Sequence, residues 1–231
     1  MQGLRDVRLN AIRLLPILLL AALAPAASFA ADGFRLLEID EVFVKWGAPA
    51  FGAGAEVTYG FAAAPGNFLD AINCRALAPM ATLASAWQDD PARLDSIAAA
   101  AFAMWSHEAD VRFRPAASGE TPDILVGVQG IPRGIAFANV WHAHAAPGNV
   151  APLERATICL NPEVTWTTGD TPEPGGFDLG TVLAHEIGHA IGLDHPGAKG
   201  ALMGYSNQGD IDHLMAGDIA GALTLYGPAR N

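Results

Sequence analysis

Apolar and polar positions along this 231-residue chain change period several times. VTYGF (residues 57–61) alternates as a half-buried strand does, and Gly52 and Gly54 punctuate its approach. Asp90-Pro91 then reads as an N-cap followed by proline at the first helical position. From there Leu94, Ile97, Ala98, Ala101, Phe102 and Trp105 recur at helical spacing, a stripe that predicts a long amphipathic helix packed on a sheet. Four strand-like runs follow, at residues 111–113, 123–128, 135–141 and 156–160. The glycine- and proline-rich TTGDTPEPGG (residues 167–176) predicts a surface loop that delivers the chain to Asp178, an N-cap for the next helix. That helix has an apolar face of Leu179, Val182, Leu183, Ile187 and Ile191. A last helix spans Ala216–Tyr226, with Gly227-Pro228 behind it as a stop signal. Strands with interspersed helices, and no regular βαβ alternation, predict an α+β fold with helices packed on a sheet. No internal repeat or linker divides it, so a single domain over residues 31–231 is expected.

The first thirty residues stand apart from this pattern. Arg5, Arg8 and Arg13 precede a short apolar run at residues 14–24, and small residues then lead to Ser28-Phe29-Ala30. This is the layout of a secretory signal peptide, with cleavage expected after Ala30; an uncleaved membrane anchor is the alternative. Its removal takes three Arg and one Asp from the 13 basic and 24 acidic side chains, which leaves a net charge of −13. So acidic a chain is a poor partner for nucleic acid or anionic lipid. A secreted, monomeric protein, extracellular or periplasmic, is expected. In an oxidising compartment the two cysteines, Cys74 and Cys159, are expected to form a disulfide, the alternative being two buried thiols.

The chemistry concentrates in HEIGHAIGLDH, His185 to His195. His185 and His189 are four apart and share one helical face, where they can grip one metal ion. His195, six residues further, would lie off that face if the helix continued. Gly192 resolves the spacing, because it can adopt the positive φ that ends a helix, after which Leu193-Asp194 can lead His195 back as a third ligand. Three imidazoles with an open fourth position suit a catalytic Zn²⁺. Glu186 is rotated off the ligand face and can reach a zinc-bound water instead, taking its proton during attack on a carbonyl and passing it to the leaving amine.

His185-Glu186-x-x-His189-x-x-Gly192-x-x-His195, with Met203 downstream, matches the metzincin signature and its methionine turn. The chain most resembles the matrixin branch, the matrix metalloproteinases and their bacterial relatives, over nearly its whole mature length. KWG with VTYGF resembles that family's opening strand, AFAMWSHEADVRF its first helix and second strand, and TPDILVGV its third strand. LNPEVTWTT resembles the segment after its fifth strand, and MAGDIAGALTLYG its final helix. The resemblance implies a twisted five-stranded mixed sheet with an antiparallel edge strand and three helices. It further implies that an extended polypeptide substrate lies along the edge strand IAFANVW, and that Met203 floors the zinc without binding it.

Four departures qualify the likeness. The family's structural zinc uses a His-x-Asp pair and two later histidines. Here VQGIPRG stands upstream of the edge strand and Cys159 takes the last histidine's place, so no structural zinc is expected, and His142 and His144 are expected in an exposed loop. Calcium is compatible with the resemblance, but nothing in the sequence indicates it. No propeptide with a cysteine switch is visible, and Cys74 in AINCRAL lacks that switch's flanks. After Met203 the chain has Tyr205 and Asn207 where matrixins have proline and tyrosine; Tyr205 either contacts the metal, donates to the transition-state oxyanion or lines the pocket. Finally, Asp218 matches the aspartate that braces the methionine turn, while Gly217 replaces the one that binds the mature N-terminus.

The expected function is therefore secreted zinc-dependent endopeptidase. The alternatives are a zinc-binding, catalytically silent adhesion or interaction protein on the same fold, and a metallohydrolase acting on some other amide.

Overall fold

The computed structural model describes residues 33–84, 91–168, 175–197, 201–204 and 213–230. The leader, Asp90, residues 169–174 of the predicted loop, Tyr205 and Asn207 lie outside the described residues.

Two short strands, β1 (Arg35–Leu36) and β2 (Glu38–Ile39), lead into β3 (Val42–Lys45) and β4 (Ala55–Phe61). A small hairpin of β5 (Gly66–Asn67) and β6 (Ala76–Ala78) and the single turn α1 (Ala81–Ala84) precede the long helix α2 (Pro91–Glu108). Then come β7 (Val111–Pro115), β8 (Ile124–Gln129), β9 (Ala136–His142) and β10 (Val150–Leu160). The chain continues through β11 (Trp166–Thr167), β12 (Phe177–Asp178), α3 (Leu179–Ala190) and β13 (Leu193–Asp194) to α4 (Ala216–Tyr226).

Five strands in the order β7-β4-β8-β10-β9 make the expected sheet. The first four run parallel, and β9 is antiparallel to β10 at the edge. Short strands extend it to nine: β3 joins the start of β10 with β2 behind it, and β6 adds antiparallel to the end of β8 with β5 beside it. The fold is thus the α+β metzincin arrangement, with α1 as a helix beyond the expected three. β10 begins six residues before the run 156–160 anticipated from sequence, because Val150–Pro152 pair with β3, a contact between segments distant in the chain. His142 is no loop residue either: it closes β9 opposite Leu153, while His144 beyond it is exposed.

Side chains alternate across a sheet, and here the two faces meet different partners. Ile124, Val126 and Val128 of β8, with Ala156, Ile158 and Leu160 of β10, face the main core, which also takes in α2 and α3. Leu125, Cys159 and Phe137 face the other way, into a small cluster with Ala62, Phe68, Cys74 and Leu77. The segment 62–78 therefore forms a strap over the outer face, tied to the sheet by the Cys74–Cys159 disulfide.

The strap follows β9. Asp70 Oδ2 accepts from Trp141 Nε1 at 2.7 Å, Asn73 N donates to Asn139 Oδ1 at 3.0 Å, and Gly130 N donates to Ala76 O at 2.8 Å. Arg155 lies over the Trp141 ring at 3.9 Å and reaches Asp70 at 3.5 Å, completing the seam.

In the main core Tyr59 stacks on Phe102 with ring centroids 4.1 Å apart, and Trp105 donates through Nε1 to Ala184 O at 3.0 Å, joining α2 to α3. The end of α3 is held by two large side chains. Trp46 Nε1 donates to Ala190 O at 2.8 Å; the Tyr226 hydroxyl donates to Ile191 O at 2.6 Å and accepts from Trp46 N at 3.0 Å. Helix-terminal carbonyls without intrahelical partners are satisfied in this way. Lys45, wholly buried beside them, donates to Trp46 O and Ala48 O and lies 4.9 Å from the Tyr226 ring centroid.

The disulfide closes a long loop, so replacing both cysteines by alanine is expected to remove about 2–4 kcal/mol of stability in urea unfolding. Free thiols at both positions under non-reducing mass spectrometry would contradict the pairing.

Burial lowers the Lys45 pKa to about 8, against 10.5 for an ordinary lysine. Between those values the unfolded chain binds more protons than the folded one, so this group makes stability rise as pH rises through 8. Lys45→Met should remove that component, seen as a smaller gain in urea midpoint between about pH 7.5 and 9.5 than in the unaltered chain.

Candidate metal centre

Asp178 opens α3 as its N-cap, its carboxylate accepting from Thr181 N at 2.8 Å. From that start His185 and His189 fall one turn apart on the same side of the helix. The helix ends at Gly192, whose φ of 104° lies outside the range L-residues favour, and whose missing Cβ leaves room for Val44 O. The chain then turns into β13 and returns His195 to the pair.

The three Nε2 atoms converge. His185 stands 3.1 Å from both His189 and His195, and the last two are 3.3 Å apart. A tetrahedral ion with nitrogen ligands at about 2.0–2.1 Å requires them about 3.3 Å from one another. The donor set fits zinc in its protonation as well. His185 Nδ1 contacts Leu202 O at 2.7 Å and His189 Nδ1 contacts Leu193 O at 2.8 Å. A carbonyl can only accept, so Nδ1 carries the proton in each and the Nε2 lone pair faces the centre. Burial lowers the pKa of all three; for His189 the neighbouring imidazoles add to it, and its pKa falls to about 3. Neutral imidazoles are the form that binds a metal.

The methionine segment supports this from below. Met203 is buried against α3 where Gly188 lacks a side chain; a Cβ there would collide with its Sδ. Asp218, also buried, accepts from Leu202 N at 2.8 Å, Met203 N at 3.1 Å and Met215 N at 2.9 Å. One carboxylate thereby fixes the segment whose Leu202 carbonyl orients His185.

Glu186 lies beside the triad, on the side of the edge strand. Its carboxylate accepts from Ala138 N of β9, while Oε2 is buried with no protein hydrogen-bond partner. Burial raises its pKa to about 8.

Along β9, Ile135 O and Ala143 N at the two ends bond to Asn161 and Pro152. By the alternation of an antiparallel ladder, Ala136, Ala138 and Val140 therefore turn their backbone groups toward the outer edge. Among the described residues β10 is the only strand that pairs with β9. Asn73 Nδ2 of the strap reaches Ala138 O on that edge at 3.4 Å.

A sequence model of the Matrixin family matches residues 82–227. The chain belongs to the matrixin family. Among curated relatives, this matrixin is 30% identical over 149 residues to the interstitial collagenase of Oryctolagus cuniculus, a match covering 61% of this chain and 30% of the relative. It is 31% identical over 140 residues to metalloendoproteinase 1-MMP of Arabidopsis thaliana (55% and 36% covered). It is 32% identical over 143 residues to the matrilysin of Rattus norvegicus (58% and 51% covered). The alignments span about half or less of these relatives' lengths.

The described residues that the metal-site reading singled out fall at one place: His185, His189 and His195 at the centre, Glu186 beside them, Gly192, Met203 and Asp218 behind them. Cys74 and Cys159 lie apart, on the outer face of the sheet. The strap, the Trp46 and Tyr226 contacts and the pairing of β1 with β13 went unread. A tryptophan in KWG flanked by a buried lysine carried a faint signal, since a buried indole needs an acceptor for its N–H.

Asp218→Ala leaves three backbone donors, two of them buried, without an acceptor. It is expected to cost about 3 kcal/mol or more in urea unfolding and to lower zinc occupancy in the purified protein. Stability and occupancy equal to the unaltered chain would show that the brace carries no load.

Proposed function

We propose that this matrixin is an exported zinc-dependent endopeptidase in which Glu186 is the general base. The observation that carries the reading is the juxtaposition of three convergent Nε2 atoms with a buried carboxylate that is held against the edge strand and has one oxygen unpartnered. His185, His189 and His195 would hold the ion. Zinc bound there would supply Lewis acidity toward a carbonyl and lower the pKa of a coordinated water to about 7.

The chain's own residues do the rest. The outward backbone groups of Ala136 and Val140 can pair with an extended polypeptide as an added strand, which brings its backbone past the triad. Ala138 N fixes one end of the Glu186 carboxylate and leaves Oε2 directed to accept a proton from the attacking water. The protonated carboxyl can then return that proton to the departing amine. Low solvent access strengthens each electrostatic contact in the site.

The catalytically silent alternative gives Oε2 no use. Burying an unpartnered carboxylate oxygen is costly, and a purely structural zinc site does not need it. Export is supported by the layout of residues 1–30 and by the paired cysteines.

The purified protein is expected to hold about one zinc per chain by elemental analysis. Glu186→Gln should keep that zinc while hydrolysis of a denatured-protein substrate falls by about 10²–10⁴-fold. Hydrolysis unchanged by Glu186→Gln would remove the proposed base, and an absence of zinc would remove the centre.

A further inference from the structure

His185 and His189 stand on a helix, which fixes their spacing. His195 does not: it follows the Gly192 turn at the end of a two-residue strand, so something outside α3 must hold it. The partner of that strand is the first strand of the chain. β1 pairs antiparallel with β13, Arg35 opposite Asp194 and Leu36 opposite Leu193, and Leu37 N donates to Gly192 O at 2.8 Å. Each residue from the turn to the ligand's neighbour therefore meets a residue of the N-terminal segment.

Side chains reinforce the pairing. Arg35 Nε lies 3.1 Å from Asp194 Oδ2. The other oxygen, Oδ1, accepts from His195 N at 2.8 Å and lies 3.8 Å from His195 Nδ1. The Asp194 carboxylate is thus gripped on one side by Arg35 and turned on the other toward the ligand.

Phe34 and Leu36 are buried, and Phe34 with Leu193 fills the space left at Gly221 on α4. At Gly217, where the sequence lacks the family's aspartate for the N-terminus, Gly33 O occupies the room a Cβ would need. The N-terminal segment therefore docks on α4 by close backbone approach instead of through a charged side chain.

We infer that the N-terminal strand positions the third ligand: β1 fixes the backbone that carries His195, and Arg35 holds the Asp194 carboxylate that accepts from the His195 backbone N–H. Arg35 is a positioning residue, since it touches neither metal nor substrate. The inference rests on the zinc reading above and adds that metal retention depends on a segment more than 150 residues upstream of the ligands' helix turn.

The test is zinc affinity, measured by competition with a chelating indicator on the full chain, alongside the thermal midpoint of the metal-free protein. The Arg35 side chain is 61% exposed, so Arg35→Ala spares the core. It should weaken zinc binding about tenfold, at the lower end of the 10–100-fold typical for groups that orient a ligand, and leave the metal-free midpoint unchanged. Arg35→Lys, which keeps a cation opposite Asp194, should restore most of the affinity. Deletion of the chain through Leu36 should weaken binding further.

Wild-type affinity in both Arg35→Ala and the deletion overturns the inference. So does a loss of affinity in Arg35→Ala that merely tracks a lower metal-free midpoint. An unaltered chain that takes up no zinc overturns the zinc reading itself, a result distinct from tight binding that ignores Arg35.

Discussion

Three imidazole nitrogens held within 3.3 Å of one another cannot each carry a proton, and the rest of the molecule is organised around keeping them there. In the absence of a cation their lone pairs repel, so the cluster has to be imposed by surrounding structure. Two of the rings are fixed by carbonyls, His185 by Leu202 of the methionine segment and His189 by Leu193 past the helix turn, while the backbone N–H of His195 is held by Asp194. These supports are themselves tied down, the first by Asp218 of α4 and the last by Arg35 of β1. The β1 segment and α4 thus meet behind the centre, and the sheet supplies the platform between them.

The sheet does two jobs on its two faces. One face packs on α2 and α3 and places the ligand helix beside the edge strand; Trp105, bonded to Ala184 O, fixes the helices relative to each other. The other carries the strap and the disulfide. The Cys74–Cys159 disulfide is formed there and ties the strap to the sheet.

What could be read from sequence was local or periodic. Helical spacing marked α2, Gly227-Pro228 marked the end of α4, Asp178 marked the start of α3, and Gly192 explained how His195 could return, because each depends on residues a few positions apart. What could not be read was pairing across the chain. The early start of β10 depends on β3, and the course of residues 62–78 on β9. The union of β1 with β13 joins positions nearly 160 residues apart. Two-residue strands such as these have no period to detect; only the partner makes them strands. His142 was misplaced for the same reason, since its pairing with Leu153 is not written in its neighbours.

A strand edge open to a guest peptide is equally open to other copies of the same strand, and long unpaired edges are where sheet proteins aggregate. On β9 the middle of that edge is engaged from both sides: Glu186 takes Ala138 N, and Asn73 reaches Ala138 O. The row of free backbone groups is thereby broken into two short pieces around the metal centre. A flexible peptide can bridge such a break by displacing one long side-chain contact. A rigid neighbouring sheet, which must pair in unbroken register, meets that break at its centre.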